Sequence, residues 1–209
     1  MKSIDIFPWD EAFATGVAEI DDQHRRLVDL LNRLATQIAF GADKVDLDEI
    51  FADLVDYACY HFQTEEGIWH DHIPGDELEV SHLKTHQGFI EALSRLQTAR
   101  GNRQLNEVAD EVLGFLAEWL AAHILESDRL MARVVIGLRA ELTLDEAKQA
   151  ARSYMTGATR RLIDVVLSTY RTLSVNTLRL MREIAHKERA SDEVHMARDE
   201  LRFLAGLLV

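Results

Sequence analysis

"HFQTEEGIWHDHIPGDELEVSHLKTH", residues 61–86, holds five of the nine histidines of a 209-residue chain, with a cluster of carboxylates, on either side of Pro74-Gly75. His61 and Glu65 stand four residues apart, as do His82 and His86. On an α-helix, positions four apart differ by about 40° in rotation, so each pair projects two metal-ligating side chains from one face. Pro-Gly interrupts a helical pattern, and the midpoint between Glu65 and His82 falls at residues 73 and 74. The stretch therefore reads as two antiparallel helices joined by a reversal, with both ligand pairs returning to one level.

The same test extends in both directions. His24 lies 37 residues before His61, and His123 lies 37 residues after His86. The midpoints fall beside the breakers Gly41-Ala42-Asp43 and Gly101-Asn102-Arg103. Apolar residues recur at helical spacing between these breaks. The predicted helices run from Asp21 or Asp22, as cap, to about Gly41; from about Asp46 past Glu65; from Asp76 to Ala99; and from Gln104 to Val135, with Gly137 as C-cap. The fold class is all-α: an up-down-up-down four-helix bundle over residues 1–137, followed by a long C-terminal helical extension over 138–209. In such a bundle His24, His61, Glu65, His82, His86, His123 and Asp128 meet at one level, which is how helix bundles build internal metal sites.

Five imidazoles and two carboxylates suit a pair of borderline metal ions, since Mg²⁺ and Ca²⁺ favour oxygen ligands and one zinc needs only four groups. With the carboxylates bridging, the ions hold three and two histidines each, and iron is the natural candidate. The His123 to Asp128 step of five residues is about 140° apart on a regular helix, so the two would not share a face. A π-type turn between them is predicted, a distortion frequent at functional sites. Leu27, Val28, Leu31, Phe62, Trp69, Leu116, Trp119 and Leu120 are the candidate apolar wall around the site. His70 and His72 read as solvated residues at the bend, and His186 and His195 as exposed.

Composition excludes several classes. Residues 144–209 carry 11 Lys+Arg against 9 Asp+Glu, leaving 12 against 27 for residues 1–143. That acidic N-terminal part is a poor nucleic-acid binder. No stretch approaches the roughly 18 apolar residues of a membrane span, and the start MKSIDIFPWD lacks a secretory pattern, so a cytoplasmic protein is expected. The single Cys59 leaves no internal disulfide framework.

Trp9 in "FPWDEAF", His24 in "GVAEIDDQHRRLVDLLN", "HFQTEE", "HLKTH" and "WLAAHILESD" together resemble the bacterial hemerythrins, a non-haem di-iron O2-binding family, over about residues 7–135. The resemblance implies that His82, His86 and His123 bind one iron, that His24 and His61 bind the other, and that Glu65 and Asp128 bridge them beside an oxo or hydroxo group. It implies reversible O2 binding at the two-histidine iron; no separate acid, base or nucleophile cluster points to a substrate pocket, so no catalytic turnover is expected. Two positions depart from the family: Trp69 replaces a common methionine and Ile73 a common tyrosine.

Residues 144–209 exceed what an oxygen carrier needs. Thr143 to Glu146 has the form of a capping box, announcing a single helix of more than fifty residues. Ile163, Val166, Tyr170, Leu173, Thr177, Leu180 and Ile184 alternate spacings of three and four, a coiled-coil seam; Val194, Ala197, Leu201, Leu204 and Leu208 resume it with a phase slip. "EIAHKERASDEVHMARDELRFLAGLLV" resembles linker helices that lead into PAS or diguanylate cyclase output domains. The expectation is an oxygen or redox sensory domain that forms a homodimer through residues 144–209 and signals to an output domain or partner. The alternative for the helix is folding back onto its own bundle; those for function are an oxygen store or carrier and a di-iron peroxide or nitric oxide reductase.

Overall fold

Seven α-helices account for the fold of the computed structural model, which describes residues 5–40, 44–101, 103 and 105–206. They are α1 Ala18–Phe40, α2 Lys44–His72, α3 Glu77–Arg100, α4 Leu105–Ala122, α5 Arg129–Arg139, α6 Leu144–Tyr154 and α7 Gly157–Gly206. A π-helical segment, His123–Asp128, joins α4 to α5. The fourth bundle rod is thus α4, the π segment and α5 in continuous succession, and α1, α2 and α3 complete the up-down-up-down bundle.

The reversals obey local chemistry. Asp76 caps α3 by accepting a 2.9 Å bond from Leu78 N, and Gly75 takes φ 74°, a left-handed conformation that glycine adopts without strain. Gly101 ends α3 with φ 55°. The expected break at Gly41-Ala42-Asp43 lies outside the described residues, and α2 begins at Lys44, two residues ahead of Asp46.

Two expected helix ends differ. Asp21 does not cap α1, which starts at Ala18. It sits buried in the first turn and reaches back to accept bonds from Thr15 N at 2.7 Å, Thr15 Oγ1 at 2.8 Å and Gly16 N at 3.1 Å, tying the N-terminal arm to the helix start. Gly137 is not a C-cap but lies inside α5. A Cβ there would stand 3.0 Å from Ala147 Cβ, so glycine at this position allows α6 to pack closely on α5. The reversal after α5 instead uses Glu141 at φ 64°.

The capping box of α6 forms as predicted: Thr143 N donates to Glu146 Oε2 at 2.9 Å and Glu146 N to Thr143 Oγ1 at 3.4 Å. The helix it opens is short, and the expected single helix is broken at Gly157, φ 61°. α6 is pinned to the α2–α3 reversal by Lys148 Nζ at 2.8 Å from Asp76 Oδ2 and by Arg152 at 2.6 Å from Glu77.

α7, 50 residues long, spans about 75 Å at 1.5 Å per residue. Its first half folds back along α4 and α1: Ile163 and Leu178 join the core, with Val166, Leu167, Tyr170 and Met181 packed against it. The predicted seam divides, because Leu173 and Leu180 are each 55% exposed. From His186 to Glu200 every residue is exposed. Leu208 lies outside the described residues.

α7 also holds the N-terminal arm. Tyr170 Oη donates to Pro8 O at 3.1 Å and Ser174 Oγ to Ile6 O at 3.3 Å, while Phe7 exchanges two backbone to side-chain bonds with Asn32 of α1. This clamp brings the Trp9 ring to 6.4 Å from the His24 ring. Among the described residues no helix is long and apolar enough to cross a membrane.

Candidate metal centre

Along each bundle rod the candidate ligands fall between two apolar clusters. Leu27, Phe62 and Ile124 belong to one, and Ile20, Trp69 and Met131 to the other. The site is therefore a polar layer inside a helical core, and all seven expected residues are buried in it.

They form two groups, each able to hold a metal ion: Glu65, His82, His86 and His123, and His24, His61, Glu65 and Asp128. Each carboxylate divides its oxygens between them. Glu65 Oε2 lies 3.3, 3.2 and 3.5 Å from Nε2 of His82, His86 and His123, whereas Oε1 lies 3.8 and 3.6 Å from Nε2 of His24 and His61. Asp128 Oδ1 lies 3.4 Å from His82 Nε2 and 3.0 Å from His123 Nε2, and Oδ2 lies 3.2 Å from His24 Nε2. Carboxylates so placed fit a bridge between two ions.

The π segment brings Asp128 into this layer. It begins at His123 and ends at Asp128, so its wider turn absorbs the extra residue that would swing Asp128 off the face of His123.

The donor atoms themselves call for cations. Nε2 of His86 lies 3.0 Å from Nε2 of both His82 and His123, which sets imidazole nitrogens against one another across the space that the two carboxylates enclose. His24 Nε2, His61 Nε2, Glu65 Oε1 and both Asp128 oxygens are buried without a hydrogen-bond partner. Orphaned acceptors of this number are costly in a dry core and are the normal state of ligands that take metal. Burial favours the neutral form of His61, His82, His86 and His123, with lone pairs free. It pushes His82 down to about 4 despite the pull of Asp128, His86 down to about 3, and His61 and His123 well below the ordinary range. Burial, then the facing Asp128 and then Glu66, push Glu65 well above it. A metal ion reverses that penalty by supplying positive charge.

Behind the candidate ligands stand residues that their spacing does not single out. Gln23 Oε1 lies 2.9 Å from His61 Nδ1, and Glu66 Oε1 lies 2.9 Å from His86 Nδ1. Each adjoins a candidate ligand in sequence, and that adjacency was the available signal.

Leu27, Leu31, Phe62, Leu116, Trp119 and Leu120 line an apolar cavity of about 20 Å³, joined by Leu54, Ala58 and Phe89, which sequence reasoning missed. Val28 and Trp69 are not in its wall. Val28 is rotated about 100° round α1 from Leu27 and packs in the core. Trp69 lies one turn beyond Glu65, on the far side of the polar layer from Phe62; it is 1% exposed and 6.0 Å from the His82 ring. His70 is 69% exposed, yet its Nδ1 is 2.8 Å from Glu79, which also accepts from Gly75 N. It clamps the bend and is not only solvated. His186 and His195 are exposed.

The model of the hemerythrin HHE cation binding domain matches residues 15–135. A bacteriohemerythrin of Pseudomonas aeruginosa is 33% identical over 144 residues, 67% of this chain and 88% of that protein. One of Clostridium acetobutylicum is 30% identical over 129 residues, 59% of this chain and 97% of that protein, and a hemerythrin-like protein of Naegleria gruberi is 31% identical over 123 residues, 58% of this chain and 87% of that protein. No solved structure matches the chain.

Proposed function

Because the chain belongs to the hemerythrin family, we propose that it is a non-haem di-iron O2-binding protein and that its C-terminal helix carries the state of the iron pair outward as an oxygen or redox signal. The observation that carries the binding half is the placement of the Glu65 and Asp128 oxygens between two buried histidine sets. His82, His86 and His123 would hold one iron and His24 and His61 the other, with both carboxylates bridging. The bound iron pair supplies the two electrons that O2 takes up. The chain's own contribution is to fix the pair, to leave one imidazole fewer on the His24 and His61 side, and to exclude water. The cavity lined by Phe62, whose ring stacks on His86, is walled by Leu, Ala, Phe and Trp side chains, and apolar cavities of this kind stay dry.

For the signalling half, the supporting observation is a single ion pair. Arg160, in the first turn of α7, lies 3.1 Å from Glu126, which stands inside the π segment between His123 and Asp128. A change in how those ligands sit moves Glu126, and through it the start of α7. The same helix grips the arm that carries Trp9 to His24, so it touches both ligand sets through intermediaries. We further propose that α7 pairs with a second copy of the chain through its outward residues Leu162, Val165, Leu173 and Leu180, each more than half exposed, and through the exposed stretch beyond His186. Most helical stability in proteins comes from packing of an apolar face, and from His186 to Glu200 α7 packs no face on its own chain. The unpaired Cys59 suits a reducing cytoplasm, where we place the protein.

Elemental analysis is expected to give two irons per chain, with a visible charge-transfer band that appears with O2 and disappears on its removal. One zinc, or no metal, would sink the reading, and steady consumption of peroxide or nitric oxide with a reductant would replace it with an enzyme. Both partners of the Arg160 pair are partly exposed, so Arg160→Ala is expected to change stability by less than about 1 kcal/mol. It should nevertheless abolish any difference in α7 amide hydrogen exchange between the deoxygenated and oxygenated protein. Light scattering of the full chain should read twice 23.8 kDa; a monomer removes the dimer.

A further inference from the structure

We propose that Glu66 is a positioning residue that makes the two metal positions electrostatically unequal, by backing His86 with a full negative charge where Gln23 backs His61 with only a neutral amide. The inference rests on the di-iron reading and deepens it.

The two supports are built alike. Gln23 is the residue before His24 on α1 and reaches across to His61 on α2; Glu66 is the residue after Glu65 on α2 and reaches across to His86 on α3. Both meet the imidazole at Nδ1, at 2.9 Å. The orientation of the Gln23 amide follows from its other end, where Nε2 donates to Thr64 Oγ1 at 3.2 Å while that hydroxyl donates to Tyr60 O. Gln23 Oε1 therefore faces His61 as an acceptor. Glu66 is an acceptor as a carboxylate. Both histidines are thus held as Nδ1–H tautomers with Nε2 directed into the site; the supports differ in charge and in burial, Glu66 being partly exposed and Gln23 buried. Among the described residues, Nδ1 of His24, His82 and His123 is buried without a hydrogen-bond partner, so no further carboxylate offsets the imbalance from behind a ligand.

A carboxylate on the far nitrogen lends an imidazole anionic character and raises its basicity as a ligand. That favours a ferric over a ferrous ion. The three-histidine position accordingly keeps its ferric state at lower potential than the position held by His24 and His61. With irons bound, His24 and His61 would hold the position that more readily keeps an added electron, where the resemblance places O2.

The test separates charge from hydrogen bonding. Glu66→Gln keeps an acceptor and removes the charge; Glu66→Ala removes both. In the metal-free protein, nitrogen NMR is expected to find His86 as the Nδ1–H tautomer in the wild type and E66Q but not in E66A. In the iron-loaded protein, E66Q should shift the ferric to ferrous ratio of one redox step about tenfold toward ferrous, which is 59 mV for one electron, and weaken zinc at one of two sites by about 10- to 100-fold. Q23E should shift the other step in the opposite direction. A wild type without two irons overturns the family reading and this inference together. Two irons with unchanged midpoints in E66Q overturn this inference alone, and if E66Q loses its iron, unchanged midpoints in Q23E do the same.

Discussion

Replacing Glu65 by glutamine is expected to lower the iron content from two per chain to one or fewer, and to raise the melting temperature of the metal-free protein. Glu65 is the one residue common to both candidate groups, and a neutral amide cannot share an anionic charge between two cations. Loss of residues behind a ligand costs about 10- to 100-fold in metal affinity, so loss of a bridging ligand should cost at least the upper figure. The opposite effect without metal follows from burial. Glu65 is fully buried, and its acid group is pushed up by desolvation first and by Asp128 next. A raised folded pKa means that the fold prefers the neutral acid. That stabilisation is complete below the unfolded carboxyl value of about 4.3 and is lost as pH rises through the folded value. At pH 7 the metal-free wild type bears this penalty and the isosteric variant does not. Each kcal/mol relieved is worth about 2–4 °C in a chain of this size, and the difference should shrink below about pH 5. Elemental analysis and melts of chelated protein decide it: two retained irons would show that Glu65 is not a bridge.

Phe62→Ala is expected to destabilise the protein by about 3–5 kcal/mol and to speed the escape of O2 from the site. Phe62 is buried at the centre of an aromatic cluster. Its ring stacks on His86 at 4.0 Å between centroids and 12° between planes, and meets Phe89 and Trp119 edge-on at 5.5 Å. It also lines the apolar cavity. Truncation both removes the packing that fixes the His86 plane and enlarges the apolar cavity that Phe62 lines. A loss of this size is a large fraction of the roughly 5–15 kcal/mol that holds a domain together. Phe62→Leu, which restores most of the volume, should recover more than half of it. Denaturant unfolding and stopped-flow O2 release read the two effects, and a stability change under about 1 kcal/mol would remove Phe62 from the structural role.

Much of the bundle was legible because its signals are local and periodic. The four-residue spacings of His61 with Glu65 and His82 with His86 specify a face, and the equal distances from His24 to His61 and from His86 to His123 specify a level. The five-residue step to Asp128 is inconsistent with a regular helix, and the π segment at His123–Asp128 is what the structure has there. The Thr143 capping box is likewise a matter of four consecutive residues.

What failed to read out depended on neighbours distant in sequence. Gly137 looks like a helix terminator until Ala147 is placed against it. Trp69 and Phe62 flank the same carboxylate in the sequence, yet they fall on opposite sides of the polar layer, and only Phe62 reaches the cavity. Gln23 and Glu66 carry no spacing signal, since their partners His61 and His86 lie 38 and 20 residues away.

The long C-terminal helix marks the boundary between the two kinds of information. Its apolar repeat determined that α7 would be a helix with a face to bury, because periodicity is a property of the chain alone. It could not name the surface that covers that face: a second helix and the chain's own bundle satisfy the same repeat with the same apolar area. Tertiary packing decided it for the first half, where the break at Gly157 turns α7 back so that Ile163 and Leu178 enter the core and Tyr170 and Ser174 bind the N-terminal arm. In the same way the sequence alone determined which seven side chains reach one level, while only the folded structure divided the oxygens of Glu65 and Asp128 between two sets of imidazoles, since that division depends on four helices approaching at once.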